Sequence, residues 1–138
     1  MRLMIDTNIF LDVLTKREPF FTSSRQALEL CESGKHDGFV SASCITDIFY
    51  LTQKHFHDID AAYGAIGEVL KIAKVLPVTN DEVLKAFIRR AADFEDCLLA
   101  ECAKACGCEA IVTRNKKDYM GFGIVLYSPD ELVEMRIG

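Results

Sequence analysis

The sequence contains no apolar run approaching the roughly 20 residues that cross a bilayer. Its first apolar stretch, Met1 to Ile5, is cut short by Asp6, well below the length of a secretory leader. It has no excess of positive charge either. Sixteen Lys and Arg stand against 21 Asp and Glu, a net −5 at pH 7, so the molecule as a whole repels a phosphate backbone. A nucleic-acid partner would need a local basic patch or bridging cations. Paired Cys-x-x-Cys motifs are missing. The six cysteines sit inside apolar stretches such as Ala42-Ser43-Cys44-Ile45 and Asp96-Cys97-Leu98-Leu99, where a free cysteine behaves as a small hydrophobe. Cys97, Cys102, Cys106 and Cys108 match no zinc spacing. Free thiols and the lack of a leader point to a reducing, cytoplasmic location. There is no glycine-rich phosphate loop, no Ser/His/Asp order, and no repeat, low-complexity tract or linker. His55 and His57 flank Phe56 at a spacing that shares no helix face, so no chemistry is assigned to them.

What remains is a chain of 138 residues, half of them apolar, which fits a single domain over residues 1–138 with a sizeable core. Short apolar runs at residues 2–5, 38–42, 75–78, 110–113 and 124–126 read as strands. Longer segments with helical apolar spacing lie between them, at about 8–14, 22–33, 43–56, 58–73, 80–91 and 94–105, and Ser128-Pro129-Asp130-Glu131 is a strong helix start. The alternation predicts an α/β fold: a three-layer α/β/α sandwich around a central, mostly parallel, twisted sheet.

In such sheets, sites form beyond the carboxyl ends of the strands, and the intervening helices begin at that same edge. Asp6 directly follows the first strand. Asp47 lies in the first turns of the helix after the second, near Ser43 and Thr46. Asp93 and Asp96 open the helix leading into the fourth strand, and Asn115 and Asp118 follow Ile111-Val112-Thr113. Acidic residues from separate segments are therefore expected to converge. Bare carboxylates so close cannot all ionise, and a hard divalent cation such as magnesium or manganese removes that cost. A cation held by Asp6, Asp96 and neighbours would also accept phosphate oxygens and acidify a bound water. Arg114, Lys116 and Lys117 read as a basic loop suited to a substrate backbone.

These residues resemble a known family. Met4-Ile5-Asp6-Thr7-Asn8-Ile9-Phe10-Leu11-Asp12 looks like the opening motif of PIN-domain nucleases. Asp93-Phe94-Glu95-Asp96-Cys97-Leu98-Leu99-Ala100 is similar to their third acidic motif, and Ile111-Val112-Thr113-Arg114-Asn115-Lys116-Lys117-Asp118-Tyr119 to the fourth. The chain is most similar to VapC-like toxins of toxin–antitoxin pairs. The resemblance implies a magnesium- or manganese-dependent endoribonuclease, a homodimer and an antitoxin partner. It casts Asp6, Asp47, Asp96 and Asp118 as catalytic, with Asp6, Asp96, Asp118 and Asn115 around the metal. Asp47 stands where the family more often has glutamate. Asn115 stands where many members have aspartate, with Asp118 three residues on as a substitute charge. Thr7, Asn8, Ser43, Thr113, Arg114 and Lys116 become substrate-orienting or ligand-supporting groups.

Plainer roles compete for several of these residues. Asp6 can cap a helix beginning near Asn8, Asp93 can cap the helix it precedes, and Asp47 can be a solvated helix position. Asn115 and Asp118 suit ordinary turns, and Glu95 and Glu101 read as surface. Two other functions compete as well. One is a weak or inactive binding module on the same fold. The other is a haloacid-dehalogenase-type phosphatase, which needs a second aspartate where this chain has Asn8.

Overall fold

The computed structural model describes residues 1–135. Among them the chain runs β1 (Arg2–Ile5), α1 (Thr7–Leu14), α2 (Phe21–Glu32), β2 (Asp37–Ser41), α3 (Ala42–Phe56) and α4 (Ile59–Ile72). It continues through β3 (Ala73–Leu76), α5 (Asn80–Arg89), α6 (Phe94–Ala105), β4 (Ala110–Val112), α7 (Lys116–Tyr119), β5 (Val125–Tyr127) and α8 (Pro129–Met135). The five strands form one sheet in the order β3-β2-β1-β4-β5, and all four pairings are parallel. Helices α1 to α4 and α8 pack among themselves, while α5 and α6 form a separate pair. The result is the expected α/β sandwich. Leu3, Met4 and Ile5 of β1 and Ala110, Ile111 and Val112 of β4 are all buried, as strands covered on both faces must be.

Local chemistry explains where the boundaries differ from those the sequence predicts. β3 ends at Leu76 rather than Val78, because Pro77 has no N–H to extend a ladder. α3 starts at Ala42 because Ser41, not Ser43, is its cap, with the Ser41 hydroxyl accepting from the Ser43 amide at 3.1 Å. The apolar stripe that marks α5 as a helix points away from the core, leaving Phe87 69% and Ile88 75% exposed. Glu101, expected at the surface, is instead buried. It pairs with Lys104 at 3.0 Å and Arg89 at 3.5 Å.

One polar contact inside the fold controls the geometry of the carboxyl edge. Asp12 on α1 is fully buried. It accepts two hydrogen bonds from Arg114, from Nε at 2.7 Å and Nη2 at 2.9 Å, and a third from Ser24 of α2 at 2.9 Å. The guanidinium also lies 3.8 Å from the centre of the Phe20 ring. A bidentate Arg–carboxylate pair fixes both distance and orientation, so this one ties α1 and α2 to the loop after β4. Removing one partner strands a buried charge, so Asp12→Ala is expected to cost about 3–5 kcal/mol. An Asp12→Leu/Arg114→Met double variant should recover much of that loss. Urea denaturation of the three proteins checks the expectation, and an Asp12→Ala chain as stable as the natural one would contradict it.

Candidate active site

The carboxyl edge of the sheet opens into a cleft of about 410 Å³ lined by Asp6, Thr7, Asn8, Asp47, Asp93, Glu95, Asp96, Asn115 and Asp118, with Leu11 and Leu51 at its border. Asp6 arrives at the end of β1, where its amide donates to Val112 of the neighbouring strand at 3.0 Å. It occupies the N-cap position of α1, yet its side chain makes no capping bond. Its carboxylate instead accepts from the Thr113 hydroxyl at 2.9 Å. That hydroxyl in turn accepts from the Asn115 amide at 3.0 Å. Fully buried Thr113 thus couples Asp6 to the β4–α7 loop. At the start of α7, the Asp118 amide donates to the Asn115 carbonyl at 3.0 Å.

Asp93 is the cap of α6, as its position implied: its side chain accepts from the Asp96 amide at 3.0 Å. Asp96, one turn in, faces the cleft. Glu95 lines it as well, beside Asp47, although the sequence pattern placed Glu95 on the surface. Its position in the first turn of a helix that starts at the carboxyl edge was the signal that could have found it.

The electrostatics match a crowded acidic site. Burial pushes the Asp6 carboxyl up from its ordinary value, while the Thr113 hydroxyl and Thr7 amide pull it partly back. Asp96 is pushed up to about 7, first by burial and then by the charges of Asp93 and Asp6. Glu95 is also raised, by burial and then by Asp47. The phenol of Tyr119, fully buried beside Asp6 and Asp96, is driven upward by burial and by those two charges. Its hydroxyl and Thr7 Oγ1 are buried with no hydrogen-bond partner among the described residues. An unsatisfied buried hydroxyl calls for an ion, a water or a catalytic role, and that of Tyr119 lies beside the Asp6 and Asp96 carboxylates.

Not every expected site residue comes to the cleft. Ser43 pairs with the Ser41 hydroxyl at 2.6 Å. Arg114 is held by Asp12, and Lys116 Nζ sits 2.7 Å from Glu131. The expected basic loop therefore offers neither of these two cations freely to a substrate, because each already has a carboxylate within reach. For a metal ion, an all-oxygen donor set with orphaned hydroxyls nearby has the chemistry that magnesium or manganese prefers. Among the described residues, no three His, Cys, Asp or Glu side chains are placed so that they could hold one ion as they stand. The donors fit by type, but they must draw together to chelate.

Comparison with known proteins places this cleft in context. A family model described as the PIN domain matches residues 2–117. The chain belongs to the PIN-domain family. It is 29% identical to Ribonuclease VapC1 of Aquifex aeolicus (strain VF5) over 134 residues, covering 94% of this chain and 86% of that protein. Among solved structures it is similar to VapBC2 of Rickettsia felis bound to a DNA fragment from their promoter, with TM-score 0.71 and 18% identity over 93% of this chain and 98% of that one. It is also similar to VapC20 of Mycobacterium tuberculosis, a sarcin-ricin loop cleaving toxin, with TM-score 0.68 and 16% identity over 89% and 96% of the two chains. Identities that low establish shared architecture. In this PIN domain the acidic cleft lies where β1, α3, α6 and the β4–α7 loop meet.

The raised Asp96 carboxyl makes a stability prediction. The folded state keeps a proton on Asp96 up to about pH 7, whereas an unfolded chain releases it near pH 4. The folded state therefore binds more protons in that window, and stability falls as pH rises through it. Asp96→Asn should raise the metal-free melting temperature at pH 8, by about 3–5 °C for each kcal/mol relieved, and leave it nearly unchanged at pH 4. Melting curves at the two pH values test this, and an equal shift at both would contradict it.

Proposed function

We propose that this PIN domain, spanning residues 1–138, is a divalent-metal-dependent endoribonuclease and the toxin of a toxin–antitoxin pair. The observation that carries the reading is the delivery of Asp6, Asp47, Asp96 and Asp118 from four separate segments to one cleft. The names of its relatives, a ribonuclease and a loop-cleaving toxin, agree with it.

In this reading Asp6, Asp96, Asp118 and the Asn115 amide oxygen hold magnesium or manganese, with Asp47 reaching in from α3. When bound, such an ion supplies Lewis acidity toward a phosphodiester and makes a coordinated water easier to deprotonate. The protein's own groups prepare the site for this. Thr113 orients Asp6 by donating to its carboxylate. Tyr119 offers a buried hydroxyl to the Asp6–Asp96 pair. The burial and neighbouring charges that raise the metal-free Asp96 carboxyl to about 7 are the penalty a bound divalent cation would offset. Thr7 and Asn8 face the cleft and orient the substrate.

A cytoplasmic setting agrees with six free cysteines and with the absence, among the described residues, of any helix long and apolar enough to cross a membrane. An antitoxin that covers the cleft is the expected protein partner, since several similar structures are VapBC pairs. The exposed apolar face of α5, with Phe87 and Ile88 at its centre, suits a homodimer contact, because apolar patches rimmed by polar groups mark interaction surfaces.

RNA cleavage in magnesium or manganese tests the main proposal. Asp6→Asn and Asp96→Asn should each reduce it by at least roughly 100-fold; equal cutting by all three proteins would falsify the assignment. A natural chain that binds manganese weakly and leaves RNA intact would favour an inactive binding module. For the dimer, a Phe87→Asp/Ile88→Asp variant should sediment as a monomer where the natural chain sediments as a dimer. Identical sedimentation of the two would remove α5 from the interface.

A further inference from the structure

The acidic cleft is only one end of a longer feature. Helices α1 and α3 both begin at the carboxyl edge and pack against each other, so the groove between them leads away from the cleft. Asn8 and Leu11 of α1 and its C-cap Thr15 face it; on α3 they are met by Asp47, Leu51, Lys54 and His55, at the spacing of one helix face. Leu11 and Leu51 line both the cleft and the groove beyond it, and Arg17, Lys54 and His55 complete that outer part. The charge reverses along this path. The cleft is walled by carboxylates, whereas no Asp or Glu lines the outer groove.

Two of these groups are cations available to a ligand. Arg17 Nη1 is 3.3 Å from Asn8 Oδ1 and 4.0 Å from Asp12 Oδ1, with its side chain 40% exposed. Asp12 carries one negative charge and already holds Arg114 bidentately, so of the two guanidiniums one positive charge is left over. Lys54 lies on the surface in the last turn of α3, and no ion pair engages it among the described residues. Leu51, 45% exposed between cleft and groove, offers an apolar step on which a ribose or base can rest.

Resting on the nuclease reading, we infer that the α1–α3 groove is a binding subsite for the sugar–phosphate backbone of single-stranded RNA flanking the phosphate in the cleft, with Arg17 and Lys54 as its phosphate contacts and His55 beside them. Lys54 and His55 lie seven and eight residues beyond Asp47, about 10–12 Å along the helix axis. That span matches roughly three stacked nucleotides at about 3.4 Å each. The groove also answers the problem set by the overall charge. A protein of net −5 whose Arg114 and Lys116 already face carboxylates gains from further cations beside its acidic site, and Arg17 and Lys54 line the path that leads out of it.

The test uses a fluorescein-labelled 12-nucleotide single-stranded RNA and compares the natural chain with Arg17→Ala, Lys54→Ala/His55→Ala and a remote control, Lys35→Ala. Steady-state cleavage in manganese gives KM and kcat across a range of potassium chloride. Fluorescence anisotropy on an Asp96→Asn background gives binding without cutting. Circular dichroism melts confirm that the exposed substitutions leave the fold intact. The double variant should raise KM and Kd by roughly tenfold with kcat held within about twofold. It should also flatten the dependence of log affinity on log salt by about 0.7 for each phosphate that the protein no longer neutralises. Unchanged KM, Kd and salt slope in a protein that still cuts would overturn the groove and leave the nuclease standing. Groove-dependent RNA binding in a natural chain that cuts nothing would overturn the nuclease and keep the groove.

Discussion

In a parallel sheet every strand leaves at the same edge, and every crossover helix starts there. That constraint brings the end of β1, the start of α3, the start of α6 and the loop after β4 to one place, although up to 112 residues separate Asp6 from Asp118. The cost is electrostatic. Burial first, and then the neighbouring carboxylates, raise the proton affinity of Asp96 and Glu95. A site of this kind works against the stability of its own fold, as strained or charged functional sites commonly do.

The surrounding structure holds the cluster through contacts that lie just outside it. Thr113 links Asp6 to the backbone of the Asn115 loop. The Asp12–Arg114 pair fixes that loop against α1 and α2. A buried ion pair is weak evidence for net stability but strong evidence for geometry, because breaking either half leaves an uncompensated charge. Arg114 thus acts on the site through position, orienting the loop that carries Asn115 and leads into Asp118 on α7. Arg114 is held by Asp12, while Arg17 and Lys54 line the groove between α1 and α3.

Much of the fold was legible in the residues. Short apolar runs such as Leu3-Met4-Ile5 and Ala110-Ile111-Val112, bounded by turn residues, read as strands covered on both faces, and the helical spacing between them implies crossovers. The rule that sites form at the carboxyl edge then selected Asp6, Asp47, Asp96, Asn115 and Asp118, all of which line the cleft. The same rule applied to Glu95 would have found it too, but a glutamate in a first helical turn is ordinarily a solvated charge. Ser43 does not line the cleft: its hydroxyl pairs with that of Ser41, the cap of α3.

What the linear order determined is the alternation of short apolar and longer amphipathic segments, hence a parallel sheet and an acidic edge, because hydrophobic period and turn chemistry act over a few residues. Which charges would be spent on one another was decided only in three dimensions. Asp12 and Arg114 lie 102 residues apart, and nothing local to either announces the other. The outward face of α5 and the path between α1 and α3 belong to the same class. Whether an apolar stripe is core or surface, and whether a lysine is paired or free, depends on which elements the folded chain sets beside it.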